Sequence, residues 1–212
     1  MLVLKNYLNA RDLVNKININ TKIIVVTKNF SLDNINPLID FGHLDFAENK
    51  VQETKNKWAN LIISNPSLKL HMIGKVQSNK AKDAFEIFHY IHTLDNEKLS
   101  KIFSKLEESS IRKIKYFIQV NIGDEPQKNG ISVDKVHQFV KYCMNDLKLN
   151  IVGLMCIPPA EGDPTQYFTS LAELARINKL KELSMGMSND YECAINNGAT
   201  FVRVGSKIFS SD

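Results

Sequence analysis

KIIVVT (residues 22–27), KYFIQVN (115–121) and LNIVGLM (149–155) decide the fold of this 212-residue chain. Each is an almost unbroken apolar run bounded by polar residues. That pattern suits a parallel strand covered on both faces, not a strand with one wet side. Five more short runs rich in β-branched and aromatic residues fall at 44–47, 69–73, 87–92, 182–185 and 200–204, giving eight in all. Longer amphipathic stretches fill the intervals. Between 31 and 41, Ser31 suits an N-cap, Leu32, Ile35, Leu38 and Ile39 share one helical face, and Gly42 ends the element. Pro164 suits the first turn of a helix carrying Phe168, Leu171 and Leu174. An opening helix over about residues 4–18 precedes the first strand. Strand–helix alternation with no composition shift or low-complexity linker favours a single (β/α)8 TIM barrel over an open doubly wound sheet. The expected organisation is one domain over 1–212, with the barrel at 22–209.

Apolar residues make up 43% of the chain and charged residues 24%, enough for one sizeable core. The formal charge of +4 is spread along presumed helices and interleaved with Asp and Glu, as on a solvated helical surface. Lys75, Lys80 and Lys82 form the densest basic cluster, without the aromatic residues that stack bases. Nucleic acid is therefore not the expected partner, although the cluster attracts anions. Cys143, Cys156 and Cys193 are far apart and form no Cys-x-x-Cys pair, which points to a reduced, cytoplasmic protein. The opening MLVLKNYLNARDLVNK turns polar after four residues and lacks the apolar core of a signal peptide, and no stretch is long enough to span a bilayer.

Barrel chemistry sits at the C-terminal ends of the strands. Lys28, Glu48, Asn49, Gly74, Asn121, Ile157, Pro158, Gly186, Ser188, Gly205 and Ser206 fall there. LSMGMSND (183–190) and VRVGSKIF (202–209) follow the last two strands, where barrels commonly bind phosphate. Taken singly, each Gly-Ser turn reads equally as a cap or a tight turn. Together, beside Arg203, they suit an anion held by backbone amides. Lys28 is either a solvated charge or, after four apolar residues at a barrel mouth, a partly desolvated amine able to form an imine. A lysine and a phosphate cradle are the two requirements of pyridoxal 5'-phosphate. His89 and His92, three apart on an expected strand, point to opposite faces and are not a metal pair, while His71 faces either the barrel or a covering helix. Walker and Gly-x-Gly-x-x-Gly signatures are absent.

Seven ordered segments carry a family resemblance: IIVVTK (23–28), FAENKVQE (46–53), HMIGKVQSNK (71–80), QVNIGDEPQKNG (119–130), GLMCIPP (153–159), LSMGMSNDYECAI (183–195) and GATFVRVGSKIFS (198–210). The chain resembles the YggS-type pyridoxal phosphate homeostasis proteins, whose fold is like the barrel domain of alanine racemase. The resemblance implies that Lys28 forms a covalent aldimine with pyridoxal 5'-phosphate. It further implies that Ser188, Gly205 and Ser206, with the Met187 amide nearby, hold the phosphate. Arg203 would face the pyridine nitrogen, with Asn49 and Asn121 lining the pocket. A permanent cation at that nitrogen weakens the cofactor as an electron sink. The racemases also draw a tyrosine from an additional β-domain, which is not expected in this chain.

The implied role is a monomeric, reversible carrier of the cofactor with little or no catalysis, affecting amino-acid and keto-acid balance and transiently meeting apoenzymes. The alternatives are a pyridoxal phosphate-dependent amino-acid racemase or lyase, and a lysine Schiff-base aldolase. Four positions depart from the family pattern. Ala47 replaces a glycine and is expected to narrow the mouth, Lys75 and Val76 replace Pro-Leu, and Pro126 interrupts a usually polar segment. The C-terminus also looks short, so a terminal phosphate contact is expected to be missing.

Overall fold

The computed structural model describes residues 2–210. Helix α1 (Leu2–Ile17) is followed by strand β1 (Lys22–Val26), α2 (Leu32–Asp40), β2 (Asp45–Glu48), α3 (Val51–Ser64), β3 (Lys69–Met72), α4 (Ala81–Ile87) and β4 (Tyr90–Leu94). Next come α5 (Glu97–Glu108), β5 (Lys115–Asn121), α6 (Val136–Lys141), β6 (Ile151–Cys156) and α7 (Thr165–Ile177). Strand β7 (Glu182–Met187), α8 (Tyr191–Asn196), β8 (Phe201–Val204) and α9 (Ser206–Phe209) complete the chain. Every strand pairs in parallel with its sequence neighbours. The β8–β1 pairing, with Ile24 opposite Arg203, closes the cylinder, so the expected barrel is present.

Alternation along the strands divides the core in two. Ile24, Val26, Ala47, Phe117, Met155 and Phe201 fill the barrel interior. Their sequence neighbours, among them Ile23, Val25, Phe46, Ile118 and Val202, face the larger layer between strands and helices. Ala47 therefore fills the interior; it does not narrow the mouth. Helix α1 buries Tyr7, Ala10 and Val14 on one face and packs against α9, α2 and α8.

Several expected boundaries move. The apolar stretch around 84–91 is divided between α4, which buries Ala84, Phe85 and Ile87, and β4, which begins only at Tyr90. A short apolar run does not distinguish a helix end from a strand start. Strand β7 runs on through Gly186 to Met187, and α8 begins only at Tyr191. Ser31 stands at the N-cap position, but its hydroxyl donates to Asn34 Oδ1 (3.0 Å) and caps no amide. Pro164 occupies the N-cap position of α7, one residue before the expected first turn. Two features escape the sequence pattern: Ile131–Ser132 extends the sheet beside the end of β5, and a π-helical turn, Tyr142–Asp146, continues α6. No described helix is long and apolar enough to cross a membrane.

Candidate functional site

Lys28 stands on a tight turn at the end of β1. The Phe30 amide donates to the Thr27 carbonyl (3.1 Å), and Asn29 takes the left-handed conformation, φ 71°, that the turn demands and that Asn tolerates. Alternation carries Ile24 and Val26 into the interior and aims Lys28 at the mouth above them. The expected partial desolvation is not seen: Lys28 is exposed, because the turn lifts it beyond the last paired strand residue.

The turn is fixed from behind. Thr27 Oγ1 donates to Glu48 Oε1 (2.7 Å), and Lys57 Nζ donates to the carbonyls of Thr27 and Phe30 (2.9 Å each). Lys57 also pairs with Glu48 (2.6 Å), which accepts a further bond from Trp58 Nε1 (3.0 Å). Glu48 is buried among these donors on the helix side of β2, so it supports the Lys28 turn and does not reach the mouth. Glu48 was legible as a strand-end carboxylate. Lys57 was not, because it comes from α3, thirty residues after Thr27.

Next to β1 lie the ends of β8 and β7. Arg203 is 3% exposed and has no carboxylate partner among the described residues; Nη1 donates to Ser184 Oγ (2.8 Å) and Nη2 to the Cys156 carbonyl (3.0 Å). Burial draws its guanidinium below the usual value. The Cys156 thiol is pushed up to about 12 by burial, against the pull of Arg203.

Gly205 packs so closely on β1 that a Cβ would come 3.2 Å from Val26 Cβ and 3.3 Å from its carbonyl oxygen. Its amide donates to Ser188 Oγ (3.3 Å), and Ser206 opens α9 with its side chain exposed. Gly186, at φ +87°, turns the chain toward Ser188; a Cβ there would meet Ala194 Cβ at 2.6 Å. Lys28, Met187, Ser188, Arg203, Gly205 and Ser206 thus gather on three neighbouring strands, β1, β8 and β7.

The remaining candidates behave differently. The Met187 amide is engaged by Asp190 Oδ1 (2.6 Å), so that amide already meets an anion. Asn49 follows β2, beside β1, and is half-buried. Asn121 stands apart on β5. Its Nδ2 donates to the Glu125 carbonyl (2.9 Å) and its Oδ1 accepts from the Glu125 amide (3.2 Å), so the side chain is committed to its own loop. Lys75 ties the loops after β3 and β5 together through Asn129 Oδ1 (2.8 Å).

Beneath Arg203 a polar chain crosses the interior. Ser184 Oγ lies 2.8 Å from His92 Nδ1, His92 Nε2 lies 2.9 Å from His71 Nδ1, and His71 Nε2 lies 3.0 Å from Asp45 Oδ1. An arginine only donates and an ionised carboxylate only accepts, so every proton in the chain has one permitted position. Ser184 donates to His92, His92 to His71, and His71 to Asp45. Burial lowers the pKa of both histidines, with like charge from His71 and Arg203 acting further on His92. His71 accordingly faces the barrel. His92 does too, while His89 lies outside β4 and accepts from the Leu70 amide (3.1 Å). These members were hard to read because they come from four different strands and meet only in the folded barrel.

The family profile for the alanine racemase N-terminal domain matches residues 4–211. A pyridoxal phosphate homeostasis protein of Vibrio cholerae is 34% identical over 198 residues, covering 89% of this chain and 84% of that protein. Its Escherichia coli K12 counterpart is 31% identical, covering 89% and 85%. The structure of PipY from Synechococcus elongatus PCC7942 with PLP bound superposes with a TM-score of 0.85 at 30% identity, covering 98% of this chain and all of that one. Alanine racemase from Corynebacterium glutamicum, 14% identical with a TM-score of 0.73 and 62% of its length covered, shares the fold.

Proposed function

Because the chain belongs to the alanine racemase N-terminal domain family, we propose that it binds pyridoxal 5'-phosphate reversibly and serves intracellular vitamin B6 homeostasis. The observation that carries this reading is Arg203, a buried cation without a carboxylate partner, set beneath the strand ends that bear Lys28 and Ser188. Such a group calls for an acceptor from a ligand. The neighbouring proteins named for pyridoxal phosphate, and PipY with PLP bound, supply the identity of that ligand.

In this reading Lys28 would hold the cofactor through its aldehyde group. Ser188, Gly205 and Ser206 would hold the phosphate, with the Met187 amide nearby. Arg203 would face the ring nitrogen, and Asn49 would line the pocket. Asn121 contributes through the loop it secures. When bound, the cofactor supplies an electron sink, which the adjacent guanidinium restrains. The exposed turn bearing Lys28 lets water reach the linkage and suits release to an apoenzyme by a single chain acting as a carrier.

The test is a visible absorption spectrum with and without added pyridoxal 5'-phosphate, followed by borohydride reduction and peptide mapping. The expected result is an aldimine band and a pyridoxyl adduct on Lys28. Absence of both would reject the reading.

A further inference from the structure

At the end of the barrel opposite Lys28, α1 and the starts of β1 and β2 line an open cavity of about 190 Å3. The N-terminal face of such barrels ordinarily serves stability, yet this cavity is lined by charged and polar groups: Tyr7, Arg11, Lys22, His43 and Asp45. From these residues we propose that it is a second ligand site, specific for a small α-amino dicarboxylate.

The hydrogen-bonding capacities divide cleanly. His43 Nε2 donates to the Asp45 carbonyl (2.8 Å), so its Nδ1 accepts from the Tyr7 hydroxyl (3.0 Å). The Tyr7 oxygen is left with acceptor capacity alone. Asp45 Oδ1 is taken by His71, its Oδ2 has no hydrogen-bond partner among the described residues, and the side chain is 25% exposed. Tyr7 and Asp45 therefore offer two acceptors suited to an ammonium group.

Arg11 and Lys22 can only donate. Arg11 Nε is buried without a hydrogen-bond partner among the described residues, although the side chain as a whole is 38% exposed; the guanidinium has a loose contact with Asp12 at 3.7 Å and a position over the Phe41 ring. A buried donor left without a partner calls for a missing acceptor. Lys22 lies over the Phe201 ring at the floor of the barrel. Two cations and one carboxylate leave the cavity at +1. A zwitterion with two carboxylates and one ammonium, net −1, balances that charge and satisfies each group.

Isothermal titration of the apo chain with L-glutamate, L-glutamine and inorganic phosphate tests the proposal. Saturable L-glutamate binding is expected, at least about tenfold weaker in Arg11→Ala and Arg11→Gln because a charge-assisted bond is lost. It should be at least about tenfold weaker for L-glutamine, which lacks the second carboxylate, and unchanged in Lys28→Ala. Circular dichroism on both Arg11 variants separates loss of the site from loss of the fold. No saturable binding, binding unaltered by either folded Arg11 variant, binding lost in Lys28→Ala, or phosphate bound as tightly as L-glutamate would each overturn it. The pyridoxal phosphate reading stands or falls separately, on the Lys28 adduct.

Discussion

Glu48 and Lys57 meet at 2.6 Å directly behind the turn that carries Lys28. Neither side chain reaches the mouth, yet between them they hold Thr27 and the carbonyls on both sides of Lys28.

Glu48→Ala should therefore be costly, at about 3–5 kcal/mol in urea unfolding, because it strands a largely buried ammonium and the Trp58 donor. Glu48→Gln keeps the shape and one acceptor and should cost less, while lowering the yield of Lys28 adduct after borohydride reduction. A wild-type yield in the folded Gln variant would show that the clamp does not position Lys28.

Arg203→Gln should leave the barrel folded, since a glutamine amide can still donate toward Ser184. Its affinity for pyridoxal 5'-phosphate should fall about tenfold or more with the loss of a charged donor. Absorbance titration of the folded variant reads this directly, and unchanged affinity would place Arg203 outside the site.

Gly186→Ala combines a left-handed residue with a Cβ 2.6 Å from Ala194 Cβ. Strain and overpacking together should cost about 2–4 kcal/mol. Thermal unfolding with and without the cofactor checks it; a melting temperature equal to wild type would mean that the turn before Ser188 relaxes freely.

Acid should destabilise the fold through the interior histidines. His71 and His92 are held neutral because burial lowers their pKa values, whereas in the unfolded chain they titrate near the ordinary imidazole value of about 6.5. Their folded pKa values are the lower ones, so their stabilising effect is complete above 6.5. As pH falls below that value, the unfolded state takes up protons that the folded state refuses. Each then subtracts up to about 1.4 kcal/mol per pH unit. His43 and His89 are shifted the same way, chiefly by burial, and add to the slope. Asp45, pushed up by burial but brought below its ordinary value by the His71 bond and nearby positive charge, loses its contribution only in stronger acid. Urea unfolding between about pH 7.5 and 5 measures the slope. A flat profile would mean that both histidines titrate in the fold as they do in the unfolded chain.

The barrel was legible because parallel strands covered on both faces leave apolar runs such as KIIVVT and KYFIQVN. The start of β4 was not, because Phe85 and Ile87 serve α4 with the same residue types that strands use. Lys28, Ser188 and Gly205 could be placed by their positions after strands. Their supports could not: Glu48, Lys57 and Trp58 converge from β2 and α3, and the Ser184–His92–His71 contacts join three different strands. Local pattern reports which face a residue takes. It does not report which distant residue will be opposite.

The one-way order of protons from Arg203 to Asp45 also constrains how such a barrel can evolve. Exchanging His92 alone for an apolar residue strands the Ser184 hydroxyl on one side and His71 Nδ1 on the other, while exchanging His71 alone leaves Asp45 Oδ1 without its donor. Viable descendants should therefore change these positions in pairs, and the path from this interior to a wholly apolar one passes through intermediates less stable than either end.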